Sequence, residues 1–571
     1  VPKKYVDQNS VKSALTYEIA SAYGEGHTRL LYLWKESQHH LLLPRNHWDP
    51  TRLPCRVIDC RPRTHQTIDF KSRIKLDHRL QLVDGKKVLM PTGETLQQRS
   101  LDAMLGAPGG IVQLACGRGK TVIALEKIAQ GRVPALVIID NTNLLHQWMG
   151  EVEALLDVPG GVGIFGQGKK EWQKGLVLAT YHSIANWADT IPEEARRWFG
   201  QIFWEEAHHC PAPMFSKTAD MFYGARYGLT ATPERSDGLH VLSEGHIGPV
   251  LIKDLAPLMQ PSFGFVWTGL ELNLRDPLVA GKVMDINQEV HLSKLTSYNG
   301  QWPERMNQML RLVHEAHAVG RTVMLLGNSV AEIVNLATCW ERPGHPLYTD
   351  IPLPTLADIG EQLNPILLQK RDREKLERKI AALNAQITKA AGGPDTATLQ
   401  ASLNLCLQSL KQHEVAVKLD NELAKRQRQY IQQLTKEVKH VGMLTESVPP
   451  ATRQKFIKER DIIFSIMKYG KEGMNNPRLD TVILSSLFSD SNALQQLIGR
   501  PTRPVPGKKQ PVLLAVVDNI GPVIGMARKL INHLRSWPTE AGGPYEPVLI
   551  GFPDTWRSKN KMQATTNLFG Q

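Results

Sequence analysis

Short runs of aliphatic and β-branched residues recur through the middle of the chain, each followed by a longer stretch whose apolar residues return every three or four positions. Ile111 to Leu114, Ala135 to Ile139, Leu176 to Ala179, Gln201 to Trp204 and Tyr227 to Thr230 have the length and composition of strands buried on both faces. The stretches between them, such as Val122 to Ile128, read as amphipathic helices. Parallel neighbours need a crossover, so this alternation predicts a parallel sheet wrapped by helices. A second set begins at Thr322 to Leu326 and resumes at Asp461 to Ser465, Thr481 to Ser485 and Val512 to Asp518. The expected fold class is therefore α/β, with two such domains in tandem.

Between the first two strands of the second set the pattern changes. Leu376, Ile380, Leu383 and Ile387 recur at helical spacing, Gly392-Gly393-Pro394 breaks the run, and Leu399, Leu403, Leu410 and Val417 continue it. This predicts an antiparallel helical hairpin. Its polar faces carry Lys370, Arg371, Arg373, Lys375, Arg378 and Lys379, then Lys425, Arg426 and Arg428. Such a charge pattern suits either a solvated coiled-coil face or contact with nucleic acid. The first 90 or so residues hold shorter alternating segments, Arg29 to Trp34, Leu41 to Leu43 and Thr67 to Leu76, and read as a small α+β domain. Trp34 and Trp48 have the chemistry to stack on bases, although aromatics at strand spacing more often fill a core. The expected boundaries are 1–88 for this accessory, possibly DNA-binding domain, 89–255 for the first α/β domain, 256–342 and 441–535 for the two parts of the second, 343–440 for the hairpin and 536–571 for a tail.

Over 571 residues, 68 Lys and Arg face 56 Asp and Glu, a net charge of +12 that favours a polyanionic partner, though a merely basic surface has the same composition. No apolar run approaches the roughly 20 residues needed to cross a bilayer, and Val1-Pro2-Lys3-Lys4 lacks a signal-peptide core. The expectation is a cytoplasmic protein without membrane contact. Six cysteines do not make a disulfide framework in a chain this long, and Cys55 with Cys60 lacks the second Cys/His pair of a zinc site.

The chemistry concentrates in three places. Leu114-Ala115-Cys116-Gly117-Arg118-Gly119-Lys120-Thr121 joins a predicted strand to a predicted helix. Gly117 and Gly119 there let backbone N–H groups converge on a triphosphate, Lys120 reaches its β and γ phosphates, and Thr121 holds Mg2+. Ile202-Phe203-Trp204-Glu205-Glu206-Ala207-His208-His209 is a strand ending in paired carboxylates. Glu205 is placed to order the magnesium, directly or through water, and Glu206 to polarise the attacking water. His208 would couple this site to Gly228-Leu229-Thr230-Ala231-Thr232-Pro233, where Thr230 and Thr232 can relay hydrogen bonds towards a bound strand. Far downstream, Gln496-Leu497-Ile498-Gly499-Arg500-Pro501-Thr502-Arg503 puts Arg500 and Arg503 three apart on a helix, spaced to meet a γ-phosphate together.

Taken in order, these segments resemble motifs I, II, III and VI of superfamily 2 helicases. The resemblance implies two RecA-like domains that close on ATP and Mg2+ and step along nucleic acid, DNA rather than RNA. It places Gln98 where an adenine-reading glutamine is expected and adds Gln496 to the nucleotide contacts. Asn141-Thr142 to Gln147-Trp148 resembles motif Ia, Thr180-Tyr181 the next strand-contact motif, and Lys471-Glu472-Gly473-Met474-Asn475 motif V, which makes Thr142, Gln147 and Thr180 expected nucleic-acid contacts. Cys210-Pro211-Ala212, Glu234-Arg235-Ser236-Asp237-Gly238 and the hairpin insertion are similar to the DEAH-type XPB helicases and to phage relatives such as UvsW, which implies a bacterial or phage-encoded DNA helicase. In XPB relatives the segment matching Arg235 to Asp237 reads Arg-Glu-Asp and helps open duplex, while the insertion is a thumb that grips DNA. This chain departs from the family in Ser236 for that glutamate, Glu205 for aspartate and Asn475 for the motif V aspartate; Leu114 replaces a small residue at the head of the loop, as it does in XPB relatives. The rival readings are an RNA-remodelling or restriction-associated helicase, and a degenerate, ATP-switched nucleic-acid clamp.

Overall fold

A computed structural model describes the chain apart from residues 21–27, 47–64, 84–85, 167, 208–215, 232–239, 257, 286, 390–395, 472–475, 488–493, 495–496, 500, 503–504, 506, 536–544 and 555–571. Its Cα positions divide into two compact units, Val1–Asn273 with Val313–Leu326 and Met467–Gln571, and Leu274–Leu312 with Gly327–Ile466.

The first unit contains β1 (Gly109–Leu114), β2 (Ala135–Ile139), β3 (Val162–Gly166), β4 (Lys169–Lys170), β5 (Leu176–Thr180), β6 (Gln201–Glu205), β7 (Ala225–Thr230) and β8 (Val250–Asp254) in one sheet, ordered β4-β3-β5-β2-β6-β7-β1-β8. All neighbours are parallel except β4, which turns back on β3. Alternate residues of each strand feed separate cores, which explains why the runs are continuously apolar. Val112, Val137, Leu178 and Phe203 pack beneath α1 (Leu96–Leu105), α2 (Lys120–Gly131) and α3 (Thr142–Leu155), whose Leu101, Met104, Ile123, Ile128, Leu145 and Trp148 complete that core. Ile111, Ile138, Val177 and Trp204 face the other way, onto Tyr181, Ile184 and Trp187 of α4 (Tyr181–Trp187) and Ala195 of α5 (Glu193–Trp198). Because the strands are parallel, their C-terminal ends share one edge, with Thr180 beside Ile139, Glu205 beside Leu229 and Thr230 beside Gln113. In open α/β sheets that edge is where ligands bind.

Five further strands of this unit, β9 (Ser262–Trp267), β10 (Val323–Gly327), β13 (Thr481–Leu484), β14 (Val512–Val517) and β15 (Val548–Ile550), follow the order β10-β13-β14-β9-β15 and are parallel. The second unit pairs β11 (Val441–Leu444) with β12 (Ile462–Ile466), again parallel, and packs α6 (Val330–Glu341) on both. The architecture is α/β, with these strands running parallel apart from β4.

The hairpin consists of α7 (Lys370–Lys389) and α8 (Thr396–Glu437). Leu376, Ile380, Leu383 and Ile387 pack on Leu399, Leu403 and Cys406. The apolar seam does not extend to Val417, which is exposed, and Leu410 is only half-buried. From His413 onward α8 is covered from a different side, with Ile366 N–H donating to Gln412 O (3.1 Å) and Leu368 N–H to the His413 ring (3.2 Å), so Val415 and Ala416 are the buried residues instead. The last turns of α8 belong to the body of the unit. Ile431 and Leu434 are buried, Tyr430 donates to Pro346 O (2.8 Å) and Arg426 pairs with Asp358 (2.9 Å). Four of the basic residues read from the pattern, Arg373, Lys375, Lys425 and Arg426, sit in ion pairs with neighbouring carboxylates.

Near the N-terminus, Val11, Leu15 and Leu41 form a small core with Trp34 against it. The Trp34 indole N–H donates to Thr16 Oγ1 (3.1 Å) and the Lys12 ammonium lies 4.6 Å from its ring, so Trp34 is a core aromatic rather than a free stacking face. Trp48 lies outside the described residues. Ile68 and Phe70 are buried in the core beneath α1 to α3, so this stretch packs into the α/β domain rather than into the N-terminal core.

Candidate nucleotide site and nucleic-acid edge

The phosphate loop leaves β1 at Leu114 and enters α2 at Lys120, its turn closed by Arg118 N–H on Ala115 O (3.2 Å). Gly117 (φ 85°) and Gly119 (φ 89°) hold left-handed backbone that a Cβ would strain. Leu114 is tolerated at the head of the loop because its side chain is buried in the sheet core, away from the turn. Gly119 is the N-cap of α2 and brings no capping side chain, so the first-turn N–H groups remain for an anion. Lys120 is buried, and its ammonium donates to the loop's own Leu114 carbonyl at 3.0 Å. Thr121 follows, half-buried.

Glu205 ends β6 beside this loop. It is buried, and its Oε2 has no hydrogen-bond partner among the described residues. Burial, then the charge of Glu206, pushes its carboxyl up to about 8 against the opposing pull of Lys120. Glu206 adopts φ 48°, a left-handed conformation that costs a non-glycine residue about 1 kcal/mol or more and turns the chain sharply at the strand end. Two hydroxyls hold the backbone there, Tyr181 on Glu205 O (3.3 Å) and Ser243 on Ala207 O (3.2 Å).

The expected strand-contact residues emerge along the same edge. Asn141 caps α3 by accepting from Leu144 N–H (3.0 Å), leaving Thr142 exposed and Gln147 half-buried on its first turns. Thr180 caps α4 by accepting from Ser183 N–H (3.3 Å), and Thr230 ends β7, buried. His208, Thr232, Arg235, Asp237, Gln496, Arg500 and Arg503 lie outside the described residues. Gly499, within the arginine-bearing segment, is described, and a Cβ placed on it would collide with the Cys116 side chain of the phosphate loop.

Gln98 is placed differently from the expectation. It is exposed and its amide donates to Asp102 (2.8 Å), one turn along α1. The glutamine on the phosphate loop is Gln97, whose Nε2 donates to Arg118 O (3.2 Å) and whose amide occupies the space a Gly119 side chain would need. Helical phase carried the signal: Gln97 shares a face with the buried Leu101 and Met104, whereas Gln98 shares one with Asp102.

Residues 90–235 match the family described as Type III restriction enzyme, res subunit. Among named relatives, the DNA 3'-5' translocase XPB2 of Sulfurisphaera tokodaii is 35% identical over 159 residues, covering 28% of this chain and 34% of the relative. The DNA 3'-5' helicase XPB of Kineococcus radiotolerans is 31% identical over 167 residues (28% and 29% covered), and that of Mycobacterium tuberculosis 26% identical over 235 residues (40% of each). The chain thus spans less than half the length of these relatives. The Pyrococcus furiosus Hef helicase domain aligns over 76% of this chain and 97% of its own at 13% identity and a TM-score of 0.37, too loose a likeness to bear on the fold. The likeness to this family is thus confined to residues 90–235, and the likeness to these XPB helicases and translocases to between 28% and 40% of the chain.

Proposed function

We propose that this chain is an ATP-dependent DNA helicase or translocase that couples ATP hydrolysis to unwinding or remodelling of duplex or branched DNA. The observation that carries the reading is the meeting, on one sheet edge, of an uncapped glycine loop, a buried lysine held by the loop's own carbonyl, and the buried Glu205 followed by the half-buried Glu206. Triphosphate would take over Lys120 and the α2 N–H groups. The unpartnered, buried Glu205 Oε2 suits a divalent cation, which Thr121 and Glu205 would hold as Mg2+. When bound, that ion neutralises phosphate charge. Glu206 polarises the attacking water and accepts its proton, while Arg500 and Arg503 stabilise charge developing on the γ-phosphate. Gln496 is a further nucleotide contact in this reading, while Gln97 rather than Gln98 is the glutamine on the phosphate loop.

Thr142, Gln147 and Thr180 lie where a strand passes the edge, with Thr230, Thr232 and His208 relaying its presence to the carboxylates and Arg235 with Asp237 at the duplex junction. Such contacts go mainly to phosphate, so sequence preference should be weak. Among the described residues no helix is long and apolar enough to cross a membrane. A cytoplasmic location belongs to the same proposal.

The test is ATP turnover with single-stranded DNA, forked DNA and RNA. Forked DNA should stimulate most, Lys120→Ala should fall below about a tenth of the parent rate, and Glu206→Gln should bind ATP without turning it over. Preferential stimulation by RNA would move the substrate to RNA, and absence of turnover with every nucleic acid would leave an ATP-switched clamp.

A further inference from the structure

α1 does not cap itself. Its N-cap residue, Thr95, makes no side-chain bond, and the first N–H groups are taken instead by Asp77, with Gln97 N–H donating to Oδ1 (2.9 Å) and Gln98 N–H to Oδ2 (3.0 Å). Asp77 sits at φ 54°, a left-handed conformation that aspartate tolerates better than most residues. Its carbonyl is fixed by Thr92, which donates both its N–H (2.8 Å) and its hydroxyl (2.9 Å). In this pose Asp77 N–H donates to Gln97 Oε1 at 2.7 Å. The Gln97 amide is therefore specified at both ends. Its oxygen must face the Asp77 N–H, so its NH2 must face the Arg118 carbonyl of the phosphate loop, 3.2 Å away. Glu94 makes a parallel tie, pairing with Arg118 (3.2 Å) and with Arg79 (3.3 Å), one residue from the start of the antiparallel ribbon formed by His78–Val83 and Lys86–Pro91.

We propose that Asp77 is a positioning residue of the nucleotide site. Resting on the ATPase reading above, the inference is that Asp77 clamps α1 and Gln97 so that the Arg118–Gly119 peptide keeps the left-handed turn that aims the loop N–H groups at phosphate. In that reading Arg118 and Gly119 would meet phosphate through backbone, so the effect is on the phosphates and is blind to the base. A helix cap with no further role would change stability alone.

Three variants separate the possibilities. Asp77→Gly keeps the backbone conformation and the N–H but removes both carboxylate acceptors, Asp77→Asn keeps one acceptor, and Gln97→Met keeps the shape of Gln97 without its amide. Michaelis constants and kcat for ATP and GTP are measured on the full chain with forked DNA, together with direct nucleotide binding and melting temperature. Asp77→Gly and Gln97→Met should each raise KM and Kd for both nucleotides by the same factor, about five- to twenty-fold, with kcat within about twofold. Asp77→Asn should recover part of that loss, and the double variant should be no worse than the worse single one. A lower melting temperature with unchanged KM would reduce Asp77 to a helix cap and overturn the proposal. A loss for ATP that spares GTP would make Gln97 a base reader and overturn it too. If the unaltered chain neither binds nor hydrolyses ATP, the reading of the site itself fails; normal KM in the variants of an active chain removes only the positioning role.

Discussion

Replacing Lys127 with methionine should stabilise the protein at neutral pH and lose that advantage in alkali. Lys127 lies in α2 with only 7% of its surface exposed. Its ammonium donates to Gln201 Oε1 (3.1 Å) and lies 4.9 Å from the centre of the Tyr227 ring, with no carboxylate in ion-pair range among the described residues. Burial lowers its pKa from 10.5 to about 8. At about 1.36 kcal/mol for each pH unit, that drop sets a ceiling of about 3 kcal/mol on the cost of keeping the charged form buried. Methionine forfeits the Gln201 bond and the ring contact, each about 1 kcal/mol, so the net gain at pH 7 is about 1–2 kcal/mol. The folded-state pKa lies below the unfolded value, so the folded state carries the full cost below about pH 8. Between about 8 and 10.5 the unfolded chain binds more protons and the parent protein gains stability as pH rises. Thermal unfolding followed by circular dichroism should show the variant melting roughly 2–6 °C higher at pH 7, and no higher than the parent near pH 10.5. A variant less stable than the parent at both pH values would refute the reasoning, because Gln201 and Tyr227 would then be satisfying the charge.

Three other perturbations follow from the same geometry. Tyr181→Phe removes the hydroxyl from Glu205 O and should lower kcat about three- to tenfold with ATP affinity and melting temperature nearly unchanged; an unaltered kcat would make that bond incidental. Gly499→Val should collide with Cys116 and cost at least about tenfold in DNA-stimulated turnover, with partial recovery on adding Cys116→Gly, and a failure of that second change to help would place the damage elsewhere. Replacing residues 374–408 with a short Gly/Ser linker removes the self-packed part of the hairpin and should leave folding and basal ATPase intact. If the hairpin grips DNA, titrating forked duplex at several salt concentrations should show weaker binding and a log–log slope flatter by roughly two, and equal slopes would assign the hairpin to protein contacts.

The parts of the fold that could be read from the chain are those in which one residue pattern admits one environment. Ala135 to Ile139 is apolar at every position because alternate residues enter two different cores, and that leaves a doubly covered parallel strand as the natural solution. Val162–Gly166 and Val250–Asp254 were not legible in the same way. The first is interrupted by glycine, and the second is half-exposed at the sheet edge and ends in Lys253 and Asp254. The phosphate loop was legible because its glycines, lysine and threonine are local in sequence. Gln97 was not, since choosing it over Gln98 depends on the rotation of α1 and on Asp77, twenty residues away. The seam of α8 misled for a related reason: helical spacing shows which residues share a face, but not that the partner changes from α7 to the 364–369 segment part-way along. Ile68 and Phe70 likewise look like N-terminal strand residues until the fold sets them beneath α1 to α3.

The departures of this site from the helicases it resembles fit together when its charges are followed through. Glutamate at 205 is one methylene longer than aspartate, yet its Oε2 remains buried at the strand end with no hydrogen-bond partner among the described residues. Among those residues the extra length has not committed this oxygen to a structural bond. Lys120 behaves in the complementary way: its ammonium donates to Leu114 O, a neutral acceptor that is a weaker partner than an anion. Burial and the charge of Glu206 thus favour the neutral Glu205 carboxyl at pH 7 against the pull of Lys120. In the proposed ATPase a triphosphate with a divalent cation would engage both groups, drawing Lys120 away from Leu114 and favouring the ionised form of Glu205. Glu206 needs no such rearrangement, because its turned backbone is set by the end of β6 and the hydroxyls of Tyr181 and Ser243 before any ligand arrives. In the proposed ATPase, binding energy goes into the first two groups while the base that polarises water is preorganised, and for that reason Glu205→Asp should alter ion binding before it alters the chemical step.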